Sequence, residues 1–335
     1  MSTYYLRGLG SALLLATLSL PAGAADLSPD RLLAAGRVDD AMVSLQNQIN
    51  RTPADAESYN LLCRAHFALG DWDAGISACQ QAVALDRDNS QYHLWLGRIY
   101  GEKADHSNFF SAAGLAKKVR NEFETAVKLD PHNLEARSDL AEFYVEAPPI
   151  VGGGRDKAEA QAQEMTVLDP AQAHMVKARL AEKRDDFATA ESEYRAAIQA
   201  SGGRAGIWMG LVQFYSRRGQ LDQMQEAVQH AVSVPHSQHV LMAAADVLVR
   251  TKRDLPTAIQ LLRRYLSQGT VEDSPAFKAH YLLGTLLEQQ GDTPGAVEQY
   301  RAALSLVRNF APAQNALGRL QRNVARSKST TSDAE

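Results

Sequence analysis

Apolar positions along this chain fall into short helical runs separated by glycine or acidic turns. Trp208, Leu211 and Tyr215 stand at i, i+3 and i+7, a spacing that places them on one face of a helix. A second apolar rhythm follows each turn, as in Phe123 and Ala126 ahead of Leu129, or Tyr194 and Ala197. The punctuation itself recurs: Gly36 to Ala41, Gly70 to Gly75, Asp185 to Ala190, Gly219 to Met224, Arg253 to Ala258 and Gly291 to Ala296. In each string a glycine or polar residue stops one helix, Asp or Thr caps the next, and a small residue follows where two helices must come close. The starts at 36 and 70, and those at 185, 219 and 253, lie 34 residues apart. The pattern predicts an all-α chain of helical hairpins.

A 34-residue helical hairpin carrying Leu96-Gly97 with Tyr100, Leu283-Gly284, and closing prolines at Pro53, Pro131 and Pro170 resembles the tetratricopeptide repeat (TPR) family. The resemblance implies an α-solenoid of about eight hairpins in a right-handed superhelix, with helix-B contact positions at Ala41, Gly75, Val119, Ala158, Ala190, Met224, Ala258 and Ala296. Residues 101–118 and 147–154 exceed the repeat length and are expected to form loops at one edge. Phe310 to Arg326 reads as a capping helix, because terminal repeats need a polar outer face. The solenoid is expected over 25–326, with residues 327–335 as a polar, disordered tail.

The 35 basic and 39 acidic residues leave a net charge of −4, which argues against a nucleic-acid binder. Arg7, the apolar run from Ser11 to Leu20, and the small residues Ala22 and Ala24 read as a signal peptide over 1–24, cleaved after Ala24. That run is too short to span a bilayer, and no later segment reads as a transmembrane anchor. The expected location is therefore periplasmic or secreted. In that compartment a disulfide between Cys63 and Cys79 can persist. In a hairpin turning near Gly70, however, the two sit about one helical turn out of direct opposition, so bonded and free thiols stay open.

Little catalytic chemistry is legible. Gly152, Gly153 and Gly154, followed by Arg155 and Lys157, offer an anion-binding turn, against the plainer reading of a stretched hairpin turn. His230, His236 and His239 lack a fourth ligand or nearby carboxylate, so no metal or cofactor is expected. No nucleophile and base appear at catalytic spacing, and the chain is read as a non-enzyme.

The family resemblance implies that the first helix of each hairpin lines a concave groove. Its outward positions are then Asn60, Arg64, Trp95, Arg98, Glu142, Arg179, Met209, Gln213, Arg217 and Arg250. The recurring arginines suggest a mildly basic groove, with Trp95 and Met209 as apolar anchors. The expected function is a protein-interaction scaffold of the cell envelope, holding a protein or peptide partner in that groove. The alternative is an accessory subunit of a polysaccharide-export or cytochrome-assembly machine.

Overall fold

The computed structural model describes residues 27–332; the segment read as a signal peptide lies outside them. The described residues form seventeen α-helices, one short 3-10 turn and no strand. The helices pair into eight antiparallel hairpins, numbered here as units. They are α1 (Pro29–Ala34) with α2 (Val38–Arg51), α3 (Ala56–Leu69) with α4 (Trp72–Leu85), α5 (Ser90–Asp105) with α6 (Phe109–Leu129), and α7 (Leu134–Glu146) with α8 (Arg155–Leu168). Then come α9 (Pro170–Glu182) with α10 (Phe187–Ala200), α11 (Ala205–Arg217) with α12 (Leu221–Ser233), α13 (Gln238–Arg250) with α14 (Leu255–Gln268), and α15 (Ala276–Gln289) with α16 (Thr293–Leu306). A final helix, α17 (Ala311–Ser332), packs on α16.

Local chemistry explains the boundaries. Gly70 ends α3 in the left-handed conformation at φ 75°, where a side chain would be strained. Where the equivalent turn lacks glycine, Asp185 and Lys252 are forced to φ 59° and 52°. Asp55, Asn89, Asn108, Asn133, Asp169, Asp186, Asp254 and Asp292 each accept a backbone N–H of the first turn of the helix they precede. All eight helix-B contact positions are buried. At Gly75 an added methyl would collide with Ile99, and at Gly97 with the Phe123 ring, so glycine lets neighbouring helices approach there.

Two expectations change. Residues 101–118 are helical extensions rather than a loop: α5 has 16 residues and α6 has 21, so unit 3 projects beyond hairpins built mostly from 13- and 14-residue helices. The closing helix runs on to Ser332, past Arg326, so residues 327–332 belong to it instead of to a tail. In addition, the two ends of the array meet. Thr270 donates to the Ala34 carbonyl at 2.8 Å, the Arg308 guanidinium reaches Asp39 at 3.2 Å, and Gly36 lies flush against Ala276. Leu32, Leu33, Val38 and Leu45 of unit 1 join one continuous apolar core with Leu262, Tyr265, Phe277 and Leu283 of units 7 and 8. The eight units thus close on themselves.

Candidate functional site

Within unit 2, α3 and α4 meet with Cys63 and Cys79 bonded, their Cα atoms 5.2 Å apart. The small Gly75 on α4 permits that approach. Next to this staple stands one end of the inner face. Arg64 forms a two-pronged ion pair with Glu272, its Nε donating at 2.7 Å. Glu272 lies on the short link between α14 and α15, which crosses from unit 7 to reach it. That link is rigidly held: Val271 N–H donates to the Tyr265 hydroxyl at 2.8 Å, and the same hydroxyl donates to the Ser274 carbonyl. Trp95 is covered by the guanidinium groups of Arg64 and Arg98, 5.2 and 4.9 Å from its ring, and by the edge of Phe67.

The expected apolar anchors are therefore not free. Trp95 is 8% exposed and Met209 6%. Met209 is covered because α11 packs against helices of the preceding and following units, which leaves it only a narrow open strip. Asn60 is also buried, with its Nδ2 left without an acceptor among the described residues.

The groove is not basic either. Arg98 pairs with Asp139 at 2.6 Å and Glu135 at 3.1 Å, and Arg179 with Glu182 at 3.0 Å and with Glu146. Arg217 pairs with Glu182 at 2.8 Å, and Arg250 with Asp246 of its own helix at 2.8 Å. Every arginine of the expected stripe is neutralised by a carboxylate of this chain. Burial pushes the Glu182 carboxyl up, but hydrogen bonds from Arg217, Tyr194 and Arg179 outweigh it and hold the group below the usual range.

One stretch of the inner face is left open. Units 4 to 6 enclose a hollow of about 160 Å3 lined by Ser138, Glu142, Val145, Gln172, Met175, Arg179, Tyr194, Gly210 and Gln213. Sequence-predicted Glu142, Arg179 and Gln213 come together there, joined by Gln172, which lies seven residues before Arg179 on the same helix and is not among the sequence-predicted positions. Among the described residues Glu142 has no cation within ion-pair distance. Its carboxyl is accessible to solvent, yet the protein mass around the hollow and the neighbouring Asp139 and Glu146 push it above the usual range, against Arg179 and Arg217. Ser138, Gln172 and Gln213 make no side-chain hydrogen bond to the described protein residues.

The glycine turn has no such vacancy. Gly152, Gly153 and Gly154 N–H groups donate to the carbonyls of Pro149, Pro148 and Tyr144 at 2.9, 3.3 and 2.9 Å. Lys157 donates to the Gly152 carbonyl at 2.9 Å, and Arg155 pairs with Glu159 at 2.7 Å. The three glycines thus spend their N–H groups on holding the turn's own shape, as the plainer reading of a stretched hairpin turn has it. His236 and His239 wall a shallow cleft beside Pro235, while His230 stacks on Trp208 at 4.6 Å. Among the described residues no group of three or more His, Cys, Asp or Glu gathers to hold a metal, and no helix is long and apolar enough to cross a membrane.

Comparison with known proteins agrees with this architecture. Tetratricopeptide-repeat families match at residues 32–99 and again at 242–316. Among solved structures, yeast Tom70 aligns over 93% of this chain and 67% of its own at 15% identity, with a TM-score of 0.53. A thermophilic TPR protein of Thermus thermophilus aligns over 56% of this chain and 96% of its own at 20% identity, with a TM-score of 0.46. No curated protein matches in sequence. The two matched stretches sit at opposite ends of one uninterrupted series of eight hairpins, and the chain belongs to the tetratricopeptide-repeat family.

Proposed function

We propose that this protein is a non-catalytic scaffold of the cell envelope that holds an extended segment of a partner protein against the inner face of units 4 to 6. The observation that carries this reading is the hollow at Glu142. A carboxylate, a hydroxyl and two amides stand there without partners among the described residues, around the apolar side chains of Val145 and Met175. Unpaired polar groups facing a concavity cost little while water fills it, and they supply donors and acceptors to the backbone of a bound peptide. Because the arginines are already neutralised, the free charge at this site is negative, so a lysine or arginine of the partner meets Glu142. Two observations support the envelope: the export pattern of residues 1–24, and a cysteine pair at bonding distance.

A photo-crosslinking residue in place of Gln213 tests the site, with Val167 on the exposed side of α8 as the control position. Crosslinked partner from position 213 and none from 167 is the expected result. Equal labelling from both positions rejects the inner face as the docking surface.

A further inference from the structure

The projecting end of unit 3 carries a feature that partner binding in the hollow does not use. Phe109 and Phe110 open α6 with 81% and 87% of their surfaces exposed, and their rings meet only edge to face at 5.7 Å. They are not on a floppy tail. Asn108 accepts the Ser111 N–H at 3.1 Å and fixes the helix start, while the Ser107 hydroxyl and the His106 ring tie the turn to α5 through the carbonyls of Lys103 and Glu102. Behind the rings the helix carries only Ser111, Ala112, Ala113 and Gly114, so the tip is a narrow wedge and not a flat patch. Exposed Lys117 and Lys118 follow, with no carboxylate of the described residues within ion-pair distance, and the Lys118 ammonium lies 5.0 Å from the Tyr100 ring. Lys103 is tied to Asp73 and adds no free charge.

We propose that this tip inserts into an anionic lipid surface. At 1.5 Å per residue, Lys117 and Lys118 stand about 10–12 Å along α6 from Phe110. A wedge that sinks about 5–10 Å into the boundary between headgroups and acyl chains then brings both ammonium groups to the phosphates. The partial positive charge at the N-terminus of a 21-residue helix acts in the same direction, against Glu102 and Asp105 at the end of α5. Lipid is favoured over a protein pocket by this arrangement of aromatic tip and cationic collar. Since the whole chain is net negative, the attraction is local and weakens with salt.

The test is sedimentation of the full chain with vesicles of phosphatidylcholine alone and of phosphatidylcholine mixed with phosphatidylglycerol. Binding to the mixed vesicles is expected, weakened about tenfold by Phe109→Ser with Phe110→Ser, and stripped of its preference for anionic lipid by Lys117→Glu with Lys118→Glu. Because Phe109 and Phe110 pack against no core residue, thermal unfolding of the double serine variant should match the parent. In Phe110→Trp, mixed vesicles should shift the added emission to the blue. Failure of the parent chain to bind mixed vesicles, or unchanged binding by the double serine variant, overturns the proposal. Loss of crosslinking from Gln213 would leave this result untouched, since the two surfaces are tested separately.

Discussion

The inner face has two ends built from the same helix positions and put to opposite uses. At units 2 and 3 the arginine one expects to meet a partner, Arg64, is clamped by Glu272 from the far side of the closed array, and Trp95 is roofed over. At units 4 to 6 the corresponding positions surround a hollow in which Glu142, Gln172 and Gln213 have no partner among the described residues. The first end is committed to holding the array closed, and the second retains polar groups whose partners lie outside the chain. A side chain's place on the first helix of a repeat therefore decides only that it faces inward. What approaches it from units more than 200 residues away decides whether it is a site.

The contrast can be broken most strongly at the closing seam. Leu33→Ala removes a fully buried side chain from the core shared by the first and last units and should cost about 2–5 kcal/mol, read by urea unfolding. Met175→Ala, half-buried in the hollow, should cost distinctly less and lower partner capture instead. Next in size is the staple beside Arg64. With a sequence separation of 16 between the paired cysteines, reduction should lower stability by about 3 kcal/mol, and non-reducing peptide mapping should recover the two peptides joined. Two free thiols in the purified protein would remove the bond from the account.

Breaking the clamp is a smaller perturbation. Arg64→Met strands a mostly buried Glu272 carboxylate and should cost about 1–2 kcal/mol. Arg250→Met, at an exposed pair within one helix, should cost about 0.5 kcal/mol or less. Pairing Arg64→Met with Glu272→Gln in a double-mutant cycle isolates the clamp; a coupling near zero would mean that the clamp adds nothing to closure of the array.

The smallest effect on stability belongs to Glu142→Gln, and its sign is the informative part. The folded state raises this carboxyl above its unfolded value, so ionisation at neutral pH works against folding. The variant should be slightly more stable than the parent at pH 7. The gain should fade as pH drops through the raised folded value and vanish below the unfolded value of about 4.3. Capture of a basic partner should fall in the same variant. A stabilising change that lowers capture would mark a residue kept for binding, whereas a destabilising one would mark a structural role.

Much of the architecture was legible because its causes are local. Spacings such as Trp208, Leu211 and Tyr215, stops such as Gly70, and caps such as Asp186 and Asp292 act within a few residues, and a repeat packs chiefly on its sequence neighbours. The same locality explains what was misread. Residues 101–118 have no 34-residue counterpart, so a loop was the default, although Asn108 already stands as the cap of a new helix. Helix phase alone puts Met209 on the open face, but α11 has neighbours on both sides along the array. The arginine stripe reads as basic because carboxylates such as Glu272 and Asp139 lie on other elements of the chain.

The sequence by itself therefore determined the helices, the hairpin count and the family, all products of side-chain period and turn chemistry. Closure of the array, the choice between paired and unpaired arginine neighbours, and the location of the open hollow were decided only in three dimensions. The physical reason is accumulation: each hairpin adds a small rotation to the last, and only the sum over eight of them brings Glu272 to Arg64 and Ala276 to Gly36.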